Sequence, residues 1–156
     1  MGGHRLTDYA MSLFDKSQGS GGWVTFTSEE AVVAILFLVV TADGEIAPVE
    51  EELVVAASNR MKTLRRLSIA DFNAAVWKVR DGIDGSGRDA VFAAGVKGLP
   101  AELKGTVYAL AADIVFADGK ATGEEIDFLR AVQEGLGVTD ELATKVVEVM
   151  RLKNQG

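Results

Sequence analysis

Residues 31–40 read AVVAILFLVV, an unbroken apolar run, and residues 41–50 continue as TADGEIAPVE. Ser28, with two glutamates directly after it, is a typical helix start, and Gly44 is a typical helix stop. A buried strand is the alternative, because the run is rich in Val and Ile. The segment from Ser28 to Asp43 is long for a strand, and we therefore predict a buried helix followed by a tight acidic turn.

The same pattern returns 75 residues later, where residues 107–131 read VYALAADIVFADGKATGEEIDFLRA. Eight of the 25 positions in residues 32–56 are identical to their counterparts, and the matches concentrate at Ala-Asp-Gly, residues 42–44 and 117–119. A self-similar pattern at a fixed spacing indicates a duplicated structural unit. In the first copy Pro48 suits the first position of a second helix, since its φ is fixed and it has no N–H to leave unpaired.

A third helix is predicted in each half, starting at Ser68 and at Thr139, both of which can cap a helix. The pattern predicts an all-α protein of about eight helices, in which a helical hairpin plus a third helix is duplicated about a pseudo-twofold axis in a single bundle. The predicted boundaries are one domain over residues 1–156, repeat halves at about 24–80 and 98–152, a Gly- and Asp-rich linker at 81–89 and a flexible tail at 1–6.

The composition and net charge of the chain argue against several classes of protein function. The net charge is −7 and the pI is about 4.7, which argues against nucleic-acid binding, since that depends on Lys and Arg neutralising phosphates. The apolar run is far shorter than the ~20 residues that span a bilayer. The chain has no cysteine, and its amino terminus lacks the basic and apolar pattern of a secretory signal, so we expect a cytoplasmic protein.

Two aspartates occupy an unfavourable position. Asp43 and Asp118 each fall in the last turn of a predicted helix, where unpaired carbonyls disfavour a carboxylate by roughly 0.3–1 kcal/mol. Because an aspartate occurs at this position in both copies, we expect a compensating partner for it: backbone N–H groups, a basic side chain or a metal ion.

Two glutamates follow seven residues after these aspartates. Thr122 and Glu125 have the spacing of a capping box, in which the glutamate accepts from the N–H of the cap residue. In the first copy Glu50 is present, although Ala47 at the cap position has no side-chain oxygen. Both interpretations, helix caps and a site that uses the carboxylates, therefore stay open.

If both turns lie at one end of the bundle, the four carboxylates approach one another and favour a bound cation. Oxygen ligands, no Cys and a single histidine, His4, favour Ca²⁺, Mg²⁺ or Mn²⁺ over Zn²⁺. The candidate metal ligands are Asp43, Glu50, Asp118 and Glu125.

Asp113 is a single charge inside the second apolar helix, and the repeat does not explain it, because it aligns with Leu38. Burial of a carboxylate without a partner is costly, so we expect a structural ion pair or hydrogen bond there in preference to a role in the acidic site. No enzyme is predicted, since the one histidine lies in the tail and no phosphate loop or dinucleotide fingerprint is present.

The doubled turn, Ala-Asp-Gly at residues 42–44 and 117–119 with a glutamate seven residues after each aspartate, resembles the tellurite-resistance TerB family. The related domain at the amino terminus of a membrane-bound J-domain co-chaperone shares this pattern. The resemblance implies an all-helical fold, a cytoplasmic location at the inner face of the membrane, and a role in stress response and tellurite resistance. It also implies metal binding through the four carboxylates, peripheral membrane association and an integral membrane partner of the TerC type. Lys120 and Gly123 differ from the first copy's Glu45 and Pro48, so the two turns are not equivalent.

The leading hypothesis is thus a non-enzymatic helical module that couples divalent cation binding at the acidic turns to a protein partner. The alternative is a purely structural protein–protein interaction domain whose acidic turns are helix caps.

Overall fold

The computed structural model describes residues 24–42, 62–65, 67–117 and 121–155. Within these ranges the backbone forms helices and turns without any strand, which confirms the predicted all-α class. Six of these helices have eleven residues or more and one has four, against about eight in the prediction. The helices are α1 Ser28–Val40, α2 Lys62–Arg65, α3 Ile69–Ser86, α4 Arg88–Gly98, α5 Ala101–Val115, α6 Gly123–Leu136 and α7 Asp140–Lys153.

Helix α1 is the buried helix that the apolar run predicts. All ten side chains from Ala31 to Val40 are buried, none more than 6 % exposed. Helices α3, α4, α5 and α6 all pack against it, so it has no solvent face and needs no polar one. In the described part of the chain, no helix has both the length and the hydropathy needed to cross a bilayer.

The start of α1 is held by a capping box. The Thr27 hydroxyl accepts from the N–H of Glu30 at 3.2 Å, and Glu30 Oε1 accepts from the N–H of Thr27 at 2.9 Å. Lys78 of α3 donates to the same Oε1 at 2.9 Å. Partial burial by itself raises the pKa of Glu30, but the hydrogen bonds from Thr27 and Lys78 outweigh it and hold the pKa below its ordinary value.

The predicted linker at residues 81–89 is wrong. Helix α3 continues through Ser86, α4 begins at Arg88, and only Gly87, with φ of 93°, interrupts them. Gly82 lies within α3, and its missing side chain lets α4 approach closely: a Cβ there would lie 3.0 Å from Val91 of α4. Gly82 thus serves close helix packing and Gly87 a sharp turn, and no loop separates the two helices.

The remaining helix starts follow the sequence. Ser68 and Thr139 cap α3 and α7 through their hydroxyl groups, as predicted. Pro100 precedes α5, and α7 packs against α5. Helix α6 ends at Gly137, whose φ of 71° is the left-handed conformation that glycine adopts readily.

Helices α1 and α5 end at Val40 and Val115, which the repeat aligns. The first copy's second helix after Pro48 and the tail at residues 1–6 lie outside the described residues. The duplication and its pseudo-twofold axis therefore stay predictions.

Candidate functional site

Three of the four predicted metal ligands, Asp43, Glu50 and Asp118, lie outside the described residues. Glu125 is described and belongs to the first turn of α6. The site can therefore be built from Glu125 and from the ends of the two helices that lead into the acidic turns.

Glu125 takes part in a complete capping box. Its Oε1 accepts from the N–H of Thr122 at 2.8 Å, and its own N–H donates to the Thr122 hydroxyl at 3.1 Å. Oε2 accepts no hydrogen bond from the described residues, and the side chain is half-exposed. Capping by Glu125 thus leaves one carboxylate oxygen able to bind a cation.

The carboxyl end of α1 is occupied by Arg88, the first residue of α4. Its guanidinium donates through Nη2 to the Leu38 carbonyl at 2.8 Å and through Nη1 to the Thr41 hydroxyl at 2.9 Å. The Thr41 hydroxyl in turn donates to the Phe37 carbonyl at 2.8 Å, and Thr41 is fully buried. A cation is stabilised at this position because the last carbonyls of a helix are unpaired and carry the negative end of its dipole.

Aromatic packing fixes the position of Arg88. Its guanidinium carbon lies 6.0 Å from the centre of the Phe128 ring of α6, and Phe128 packs edge to face on Phe92 of α4 with ring centres 5.6 Å apart. Sequence reasoning missed Arg88, because it assigned the residue to a linker. The available signal was a basic residue directly after a Gly-Ser-Gly break, at a helix start where an acidic residue is usual.

The carboxyl end of α5 also has cations. Asp113 is 8 % exposed, and its Oδ1 accepts from Lys153 Nζ at 3.1 Å and from Asn154 Nδ2 at 3.0 Å, which confirms the predicted ion pair and hydrogen bond. Arg151 of α7 places its guanidinium carbon 5.2 Å from the ring centre of Phe116, the C-cap residue of α5.

Helices α1 and α5 thus both end beside basic side chains, one of the three kinds of partner expected for the aspartates that follow. Among the described residues, no three His, Cys, Asp or Glu side chains lie close enough together to hold a metal ion. A metal site at the turns would therefore combine Glu125 with residues outside the described ranges.

These features define a class: a protein whose described residues are helical, in which a wholly buried helix and a second apolar helix each end just before an Ala-Asp-Gly sequence. The family model of tellurite resistance protein TerB matches residues 29–148. The chain therefore belongs to the TerB family, as its doubled turn predicts. Comparison with curated proteins and with solved structures gave no significant match.

Proposed function

We propose that this chain is a non-enzymatic helical module of the tellurite-resistance and stress-response type, which binds a divalent cation at its acidic turns and couples that binding to a protein partner. The observation that supports it is the family match, which extends over both turns from residue 29 to residue 148. The all-helical fold agrees with this class of protein.

The proposed ligands are Asp43, Glu50, Asp118 and Glu125. Carboxylate oxygens suit Ca²⁺, Mg²⁺ or Mn²⁺ better than Zn²⁺. Glu125 is compatible with this role, because its cap uses Oε1 and leaves Oε2 for a cation. A bound ion would supply positive charge that removes repulsion between neighbouring carboxylates.

The proposed coupling rests on the position of the ligands in the chain. Residues 116–122 lie between α5 and α6, and the first Ala-Asp-Gly lies between α1 and the helix predicted after Pro48, so an ion that draws the carboxylates together would bias the angle between successive helices. The proposed partner is an integral membrane protein of the TerC type, met at the inner face of the cytoplasmic membrane. This part of the proposal rests on family membership.

The first experiment is a melting titration of the full chain with Ca²⁺, Mn²⁺, Mg²⁺ and Zn²⁺ in turn. An ion at 100 times its Kd stabilises the folded state by about 2.7 kcal/mol. For a protein of this size that corresponds to a Tm rise of roughly 5–10 °C. No shift with any of the four ions at millimolar concentration would remove the metal proposal.

The second experiment replaces Glu125 with Gln, which keeps a cap acceptor and removes the charge. The matched control is Glu124→Gln, which removes a neighbouring exposed charge in the same helical turn. We expect Glu125→Gln to reduce the metal-induced Tm rise and Glu124→Gln to retain it. Equal effects of the two variants would mean that net charge, and not a ligand, governs the response.

The second candidate is a structural interaction domain whose glutamates are helix caps. The complete capping box at Thr122 and Glu125 favours it, as do the cations beside both helix ends. Under this candidate, Gln at positions 50 and 125 leaves the Tm unchanged both with and without metal ions. Under the metal proposal the same double variant keeps the metal-free fold and loses the response to the ion.

A further inference from the structure

The side chain of Arg88, in α4, contacts two helices that are far apart in the sequence. Its guanidinium donates to the Leu38 carbonyl at 2.8 Å and to the Thr41 hydroxyl at 2.9 Å, both at the carboxyl end of α1. The carbon of the same guanidinium lies 6.0 Å from the centre of the Phe128 ring in α6. One side chain therefore contacts the helix that precedes the first Ala-Asp-Gly and the helix that follows the second.

The contact of Arg88 with α1 is made through a buried hydroxyl group. Thr41 is fully buried, and its hydroxyl donates to the Phe37 carbonyl at 2.8 Å while it accepts from Arg88. Because a guanidinium is planar and donates in fixed directions, its two acceptors on α1 constrain its orientation. In the sequence, Ala-Asp-Gly at residues 42–44 follows Thr41 directly.

The contact of Arg88 with α6 is fixed by aromatic packing. Phe128 packs edge to face on Phe92 of α4, with ring centres 5.6 Å apart. Phe92 also lies against the backbone of α6, since a Cβ built on Gly135 would come within 2.7 Å of its ring. Glu125 precedes Phe128 by three residues, so the two lie on the same side of α6. Arg88 thus reaches the helical turn next to Glu125, one of the proposed ligands.

We propose that Arg88 is a positioning residue that couples the carboxyl end of α1 to the start of α6. A change at the end of α1 shifts the guanidinium, and through the Phe128 ring it shifts the part of α6 that carries Glu125. Energetic coupling of this kind passes through packed side chains and hydrogen bonds that are in contact. The consequence for ion affinity rests on the proposed function, whereas the coupling itself requires no metal ion.

A cation that only compensates the end of α1 would behave differently. The unpaired carbonyls of a helix end are stabilised by any positive charge, so lysine would replace arginine without loss. Coupling instead requires the planar guanidinium, which donates to two acceptors and lies over an aromatic ring at the same time. Arg88→Lys separates the two roles, because it keeps the charge and removes the planar group.

The first test measures the coupling without metal ions. Thr41→Val removes the acceptor on α1, and Phe128→Leu removes the ring on α6. Urea unfolding of the wild type, both single variants and the double variant gives a double-mutant cycle. We expect the two changes to be non-additive by at least about threefold in the unfolding equilibrium constant. In an Arg88→Met background the cycle should be additive, and Arg88→Lys provides the same comparison if Arg88→Met does not fold.

The second test measures the Kd of the full chain for Ca²⁺, Mg²⁺ and Mn²⁺ by isothermal titration calorimetry. We expect Arg88→Lys, whose net charge is that of the wild type, to raise the Kd of the ion that binds by at least about fivefold, the lower end of the range for coupled sites. Thr139→Ala is the matched control, because it removes the cap of α7 and so destabilises a helix that packs against α5. It should keep the wild-type Kd.

The outcomes separate this inference from the metal proposal. An additive cycle in the wild-type background, or non-additivity that persists without the Arg88 side chain, would overturn the coupling. If the wild type binds none of the ions, the metal proposal fails and the cycle alone decides whether Arg88 couples α1 to α6. An ion that binds Arg88→Lys with the wild-type Kd would refute the role of Arg88 in positioning Glu125.

Discussion

The replacement of Gly95 by Ala tests how α1 and α4 are packed. Gly95 is buried in α4, and a Cβ built on it would lie 2.9 Å from Cδ1 and 3.2 Å from Cγ1 of Ile35 in α1. Ile35 is fully buried among the other side chains of the core. The added methyl group therefore has no free space and must displace either Ile35 or the helix.

The magnitude follows from two opposing effects. Alanine is favoured over glycine inside a helix by about 1 kcal/mol. Overpacking a dense core costs about 1–3 kcal/mol. The sum predicts that Gly95→Ala unfolds with a free energy lower than that of the wild type by about 0–2 kcal/mol.

Gly105→Ala is the matched control, because Gly105 also lies inside a helix, α5, but a Cβ there meets only Leu142 Cδ2 at 3.9 Å. That variant should gain up to about 1 kcal/mol of stability from helix propensity alone. Urea unfolding followed by far-UV circular dichroism gives both free energies. Equal stabilities of the two variants would refute the close contact between α1 and α4.

Three further predictions concern side-chain hydrogen bonds. Thr122→Ala removes the hydroxyl that caps α6 and should lower the free energy of urea unfolding by about 1 kcal/mol, with no loss expected if the cap were unimportant. Desolvation raises the pKa of Glu30, but the hydrogen bonds from the Thr27 N–H and from Lys78 outweigh it and hold the pKa lower in the folded protein than in the unfolded chain, so these contacts stabilise the fold above the unfolded pKa. That stability is lost as pH falls through the folded pKa, and Glu30→Gln should flatten the decline of unfolding free energy between pH 7 and pH 3. Asn154→Ala removes a donor to the buried Asp113 carboxylate and should lower the unfolding free energy by about 1.5–3 kcal/mol, a loss that Asn154→Asp would not reverse.

Much of the fold could be predicted from the sequence because apolar runs and helix caps, which are short-range signals, agree with the burial and the helix starts that the structure shows. The run at residues 31–40 is apolar at every position, and the structure buries every one of those side chains. The sequence predicts the caps at Ser68, Thr122 and Thr139 because each of these residues has a hydroxyl group. That hydroxyl accepts a hydrogen bond from the N–H three residues later. Such signals act within a few residues and need no knowledge of tertiary contacts.

The prediction of a linker at residues 81–89 was wrong because a contact between two helices, and not a loop, requires one of its glycines. Gly and Asp together are typical of loops, yet Gly82 is needed where α3 lies close to Val91 of α4. A contact between two helices sets this requirement, and composition does not distinguish it from a turn. Only Gly87, with its positive φ, serves the turn that the composition suggests.

Arg88 was missed because its acceptors, a main-chain carbonyl and the Thr41 hydroxyl, are far from it in the sequence. It donates to the carbonyl of Leu38, 50 residues earlier, and every residue presents such a carbonyl. No spacing or residue type in the sequence marks which helix end a distant arginine will reach. A basic side chain was one of three partners expected for the turn aspartates, which lie outside the described residues; which basic residue reaches the end of α1 depends on how α4 packs against α1.

The cations at both helix ends bear on how a metal ion could act here. Arg88 already places positive charge at the end of α1, and Lys153 places it near the end of α5. Basic side chains thus lie at the ends of both helices that precede the acidic residues, whereas a structural zinc site relies on the metal itself to hold its fold. A cation at these turns would consequently alter the arrangement of an already folded protein, which is the behaviour that a metal-responsive module requires.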